Sequence, residues 1–456
     1  MKSTLLGLIL LAASISTSQA QGFKLLRYDE DYRHLKDSSK LSWYDHVKFT
    51  RLNAAGTSYF SAGGEVRYQY FKFKNEAWGD APEDHDGHLL NRLLLHGDLH
   101  LGGRLRFFGQ LQSSIAAGRI DPSPVEYNEL ELHQLFADIS LLTDGQRRLI
   151  FRAGRQELNY GSSRLISTRE GPNNRQSFDG GKLFYVAKDF KADLFYTEYV
   201  VARSGIFNDD FFSDKVKFGG AYVVINHVPV LKNVDLYYLG QRKNAARWND
   251  VVGREERHSI GSRIWGAAGR WAYDFEGLFQ FGDLEHNTIR AWTLSSNQAY
   301  KLGPKELSPS IGLKTEFISG DARPEDGKIE SFNPLYPKGA YFGYAALIGP
   351  SNLFDVHPSL DVPLTKAFDF SIDYDIFWRY SGRDGIYNPG TGQIYSAGPT
   401  ESRFIGHQIS ATLDIIPNRF ISFRIESTLF KAGTYLRDVG EGKDIFYTGV
   451  TATFRF

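Results

Sequence analysis

From about residue 57 to its end, the chain repeats runs of roughly nine to twelve residues in which apolar and polar side chains alternate. In an extended strand successive side chains point to opposite faces. Glu65, Arg67 and Gln69 therefore oppose Val66, Tyr68 and Tyr70. Trp271, Tyr273, Phe275, Phe279 and Phe281 oppose Asp274, Glu276 and Gln280, and Phe370, Ile372, Tyr374, Ile376 and Trp378 oppose Asp369, Ser371, Asp373, Asp375 and Arg379. Strands of a soluble sandwich are shorter, typically about five or six residues. These runs have the length of a tilted strand that crosses a bilayer, about nine to eleven residues. The polar face carries full charges in strand after strand, which a packed core does not tolerate and a water-filled lumen does. The expected fold is all-β: a transmembrane antiparallel up-and-down β-barrel of about eighteen strands, within a range of about sixteen to twenty.

The composition agrees, with 25 Tyr, 34 Phe and 45 Gly suiting many strands joined by tight turns. After the N-terminus no apolar stretch is long enough for a membrane helix. Lys plus Arg and Asp plus Glu are equal at 53 each, so no basic excess points to nucleic acid. The absence of cysteine removes disulfide frameworks and thiolate metal sites. Lys2, the apolar run Leu5 to Ala13 and the small-residue site at Ser18-Gln19-Ala20 form the pattern of a secretory signal peptide. The expected division is a cleaved signal at 1–20, a segment at 21–56 leading into the barrel, and the barrel itself at 57–456. Short connections such as Leu101-Gly102-Gly103-Arg104 and Ile416-Pro417-Asn418-Arg419 read as periplasmic turns. Longer ones near 74–88, 202–215, 243–256, 320–340 and 381–402 read as extracellular loops or loops folded into the lumen. In the last strand Phe446, Thr448, Val450, Ala452, Phe454 and Phe456 share one face. A final strand of this kind resembles the signal read by the outer-membrane assembly machinery, which places the barrel in the bacterial outer membrane with lipid and that machinery as partners.

One stretch breaks the alternation. Between Gly154 and Gly180 arginines, acids and glycines crowd together with few large apolar groups, while the flanking residues read as strands. This stretch, GRQELNYGSSRLISTREGPNNRQSFDGGKL at 154–183, resembles the signature of the alginate-export family. Further matching blocks lie at Phe332 to Gly343 continuing to Leu360, at Trp378-Arg379-Tyr380-Ser381 with Asp384-Gly385-Ile386-Tyr387, and at Arg403 to Gln408. The resemblance implies an eighteen-stranded monomeric barrel with an arginine-rich pore, and a porin for an anionic polysaccharide such as alginate.

A pore for a polyanion needs cations arranged as a ladder of weak sites, with acids tempering them. Arginine suits it, because its planar fork takes a carboxylate in two parallel hydrogen bonds. The leading candidates are Arg152, Arg155, Arg164, Arg169 and Arg175, with Glu157, Glu170 and Asp179 holding their side chains. Arg67, Arg106, Arg379, Arg424 and Arg455 fall on the polar parity and extend the ladder. The plainer role for any one of them is an ion pair that stiffens the wall. Tyr336, Tyr341 and Trp378 offer stacking surfaces for sugars, with loop packing or an interfacial girdle as their plainer role. The reading is an anion-selective channel for an anionic polysaccharide or its oligomers, with a general or small-solute porin as the alternative and a barrel enzyme as the least favoured. Neither a nucleophile elbow nor an HExxH spacing occurs, and no cofactor, metal or nucleic acid is expected.

Overall fold

The computed structural model describes residues 22–38, 41–343 and 345–456. The signal peptide expected at 1–20 lies outside these. Eighteen long strands close into a barrel. In chain order they are β1 Tyr59–Lys74, β2 His88–Leu101, β3 Leu105–Ala117, β4 Asn128–Asp144, β5 Arg147–Gln156, β6 Phe178–Val186, β7 Phe190–Tyr199, β8 Val216–Val228 and β9 Lys232–Trp248. The second half is β10 Val251–Ala268, β11 Trp271–Leu284, β12 Asn287–Lys301, β13 Ser310–Ile318, β14 Leu353–Pro363, β15 Phe368–Arg379, β16 Phe404–Ile415, β17 Ile421–Ala432 and β18 Ile445–Arg455. Each strand pairs antiparallel with the next, and β18 pairs with β1 from Glu65 opposite Arg455 to Lys74 opposite Phe446. Closure leaves no edge strand with unpaired backbone groups in lipid.

The alternation read from the sequence sets the two faces. Tyr68, Leu93, Leu95, Leu194, Tyr196, Ile260, Leu294 and Val450 are exposed on the outer wall, while Glu65, Arg67, Arg92, Asp98, Asp138 and Arg152 are buried inside. The loop expected at 243–256 is instead strand: β9 and β10 run 17 and 18 residues and meet at a two-residue turn, Asn249-Asp250. Arg242, Arg247, Arg254 and Glu256 are exposed on one face of this hairpin, while Ala246 and Trp248 on the other are buried with Leu284, Ile289, Ile329 and Tyr387.

The lumen is partly filled. Segments 157–177, 319–352, 380–403 and 433–444 depart from one end of the barrel and carry an apolar core into it, including Ile166, Phe332, Tyr336, Phe342, Ile386, Tyr435 and Leu436 against Phe178, Phe218, Phe377 and Phe430 of the wall. Burying such side chains contributes about 1.5–3 kcal/mol each, so the segments form a packed insert. At the other end, where the connections are short, residues 23–37 and the short helix Trp43–Lys48 sit against the barrel mouth. Phe23 and Tyr44 pack on Phe420 of the turn before β17, with ring centroids 5.9 and 5.3 Å apart.

Candidate functional site

The segment 157–177 is launched by a pair of glycines. Gly154 of β5 and Gly180 of β6 lie opposite each other, with φ of 126° and 156°. A β-carbon at either position would come within 2.2 or 2.3 Å of a neighbouring carbonyl oxygen, so only glycine permits this approach. The next cross-strand pair is Arg155 and Asp179. Arg155 donates from Nε and Nη2 to both Asp179 carboxylate oxygens at 2.8 and 3.0 Å, and from Nη2 to the Asp210 carbonyl at 2.8 Å.

Beyond that pair the segment crosses the lumen. Its Ile166 forms a parallel bridge with Tyr336, in which the Tyr336 amide donates to the Leu165 carbonyl at 2.8 Å and the Ser167 amide to the Tyr336 carbonyl at 3.0 Å; beside it the Lys338 amide donates to the Ser163 carbonyl at 3.1 Å. The two most distinctive stretches of the sequence thus pair with each other. The return limb is stitched to the wall by Asn173, whose Nδ2 lies within 3.3 Å of the carbonyls of Asn91, Ile115 and Glu126, and by Asn174, which donates to the Pro124 carbonyl at 2.9 Å.

Around this limb lies a charge network that also holds the N-terminal segment. Glu157 meets Arg175 Nη2 at 3.0 Å and His133 Nε2 at 2.8 Å. Arg67 donates to the carbonyls of Glu170 and Pro172 at 2.7 and 2.8 Å. The Glu170 carboxylate lies 3.7 Å from Arg67, 2.5 Å from Arg92 and 3.2 Å from Arg175. Burial pushes the Glu170 carboxyl up, but Arg92 and Arg175 more than offset this and hold it below the usual carboxylate range. Glu65 gathers Arg27, Arg92 and Arg455 at 3.0, 2.6 and 3.0 Å. Arg152 makes a two-pronged pair with Asp138 at 2.7 and 2.9 Å and lies over the rings of Phe136 and Tyr28. Arg106 pairs with Asp98 at 2.8 Å and donates to the Tyr28 carbonyl.

Four candidates stand apart from this network. Arg164 reaches across to Tyr341 Oη at 2.6 Å, Glu276 at 3.1 Å and Glu316 at 2.8 Å. Arg169, with φ of 56°, donates to Tyr199 Oη at 3.1 Å. Arg379 directs its donors to the carbonyls of Asp384, Ala397, Thr400 and Ser402 and stacks on Tyr435, so it fastens segment 380–403. Arg424 pairs with Asp414 at 2.7 Å. Tyr336 and Tyr341 are buried among the inserted segments, and Trp378 stacks on Phe354.

Sequence reasoning missed Arg92, Glu65, Arg27 and Tyr28. Arg92 lies opposite Arg67, a juxtaposition of like charges that requires anions nearby, but the register across segment 75–87 is not written in the local pattern. The polar parity read for Asp373 and Asp375 extends across β14–β16 as a partly exposed face, where Asp361, Asp373 and Asp414 share the inward parity of Asp355, Asp375 and Gln408.

The inserted segment 319–352 has a titration of its own. Asp321 is pushed up to about 6, chiefly by burial, with the Arg323 amide opposing and Asp384 adding to the rise. A carboxyl raised on folding contributes stability that is present below its unfolded value, about 4, and is lost as pH rises through about 6. Amide exchange around residues 319–331, corrected for intrinsic rate, is therefore expected to be faster at pH 7.5 than at pH 5. Asp321→Asn removes the difference.

An eighteen-stranded barrel, closed on itself, apolar outside and charged within, with its own segments narrowing the lumen, is an outer-membrane channel of the porin class. Solved structures of that class share its fold at low identity. OccK2 (OpdF) of Pseudomonas aeruginosa, in complex with glucuronate, is 12% identical over 87% of this chain and 96% of its own, with a TM-score of 0.56. Acinetobacter baumannii OccAB1 is 12% identical over 91% and 99%, with a TM-score of 0.58, and Pseudomonas aeruginosa OpdK with vanillate is 10% identical over 87% and 98%, with a TM-score of 0.57. Comparison with curated protein sequences returned no match. The chain belongs to the alginate export family, whose model matches residues 58–445.

Proposed function

We infer that this channel passes acidic saccharides, uronate-containing polysaccharide or its oligomers, across the outer membrane. The observation that carries the reading is the convergence of Arg67, Arg92 and Arg175 on a single carboxylate, that of Glu170 on the inserted segment. Guanidiniums fixed in this way are preorganised for carboxylates. The inward aspartates of β14–β16 give the same passage hydrogen-bond acceptors. A uronate offers both kinds of group, a carboxylate on one edge and hydroxyl donors around the ring, which an inorganic anion does not. Family membership supports the reading. Small carboxylates are the second reading, favoured by the packed insert and by the glucuronate and vanillate named for two relatives in fold.

The test is conductance in planar bilayers. Oligouronates are expected to block KCl current, neutral oligosaccharides of equal length to leave it unchanged, and Arg67→Gln to relieve most of the block. Equal block by the neutral series sinks the proposal. Block by glucuronate that does not strengthen with chain length favours the second reading.

A further inference from the structure

Glu170 occupies an unusual position, because its partners Arg67 and Arg92 are part of the wall while it belongs, with Arg175, to a loop. Arg67 and Arg92 face each other across β1 and β2, and two like charges so placed repel unless an anion lies beside them. Glu65 serves Arg92 together with Arg27 and Arg455, and Glu157 serves Arg175. Among the described residues, Glu170 is the carboxylate paired with Arg67. The side chains of Arg67, Arg92 and Arg175 are at most 5% exposed, whereas that of Glu170 is 37% exposed. The site is built for an anion, and of its four side chains that of Glu170 is the one water reaches, though its Oε2 is enclosed.

We propose that Glu170 is a tethered stand-in for a ligand carboxylate, and that the carboxylate of an acidic sugar displaces it to pair with Arg67, Arg92 and Arg175. This rests on the acidic-saccharide reading above. The exchange needs only one side chain to swing out. Arg67 holds the backbone carbonyls of Glu170 and Pro172 on either side, and Asn173 anchors the next residue, so the loop stays docked. Ion pairs given up by Glu170 are remade by the ligand, and no guanidinium is left buried without a partner at the end of the exchange. A tethered competitor acts at an effective concentration on the order of millimolar. It multiplies the intrinsic affinity by the fraction of sites it has vacated. The consequence is a site that recognises a carboxylate yet releases it, as conduction requires.

The experiment uses glucuronate as the probe and noise analysis of single-channel current in planar bilayers. Glu170→Ala and Glu170→Gln are expected to bind glucuronate at least about tenfold more tightly than the wild type, a shift of about 1.4 kcal/mol, with correspondingly longer blocked dwells. Arg67→Gln in the Glu170→Ala background abolishes the gain. In the unaltered protein, glucuronate is expected to raise the reactivity of Glu170 toward a carbodiimide. This readout does not depend on any variant folding. Binding that is unchanged or weaker without Glu170, or protection of Glu170 by the probe, overturns the tethered role while leaving the transport reading standing. If neither wild type nor variants bind glucuronate or oligouronates, both fall together.

Discussion

Replacing Asp179 by Asn is expected to destabilise the barrel by about 3–5 kcal/mol, because it strands a buried guanidinium. The Arg155 side chain has no exposure, and Asp179 takes two of its donors. The next carboxylate, Glu131, is 3.9 Å away. An asparagine can accept from one donor, but its own amide then faces another. Asp179 also accepts from the Phe212 amide at 2.9 Å, and Arg155 donates to the Asp210 carbonyl, so the change loosens segment 200–215 as well. The measurement is the urea midpoint of the refolded barrel, with amide exchange in 200–215 as the local report. The double change Arg155→Met, Asp179→Leu separates two causes. If the loss comes from the uncompensated charge, the pair of apolar residues recovers most of it. If the double variant is as unstable as Asp179→Asn, the pair itself holds the junction.

Much of this molecule is legible in the order of its residues. The period of two gives the faces, so Glu65, Arg67 and Gln69 are correctly placed inside and Val66, Tyr68 and Tyr70 outside. The length of the runs gives the membrane, since a sandwich core could not hold so many charges. The charged stretch is legible as a connection because its glycines and acids end the alternation, and Gly154 and Gly180 explain why it begins and ends where it does. What stays hidden depends on register or on distance in sequence. Arg92 joins Arg67 through a pairing set across a loop, and Arg455 reaches Glu65 because the last strand meets the first. The hairpin at Asn249-Asp250 was hidden for a different reason. Its pairing shifts register between Lys243 and Ala246, so the period of two is broken just before the turn.

Tyr28 carries no periodic signal at all, yet its removal is expected to have the second large effect. It stands edge-on to Phe136, with centroids 5.3 Å apart, and to Phe108 at 6.0 Å, under the guanidinium of Arg152. Its hydroxyl donates to the Glu157 carbonyl at 2.8 Å, its own carbonyl accepts from Arg106, and the neighbouring Leu25 carbonyl accepts from Arg175 at 3.0 Å. The N-terminal segment is thus docked on the same residues that hold segment 157–177. Tyr28→Ala removes a buried ring, a loss of about 3–5 kcal/mol by analogy with other aromatic truncations. The strap's other apolar contacts, Phe23 on Phe420, Leu26 beside Phe108 and Phe136, and Tyr32, flank Tyr28, and with that centre gone residues 23–37 are expected to leave the mouth. Protease cleavage within 23–37 becomes fast, and open-channel current rises and grows noisier as Glu157 and Arg175 lose their support. Tyr28→Phe keeps the ring and loses one hydrogen bond, about 1 kcal/mol, and leaves the segment protected. Equal protection of the segment in all three proteins overturns the assignment of Tyr28 as its anchor. Faster cleavage without a change in current means that the segment covers the mouth without setting the passage.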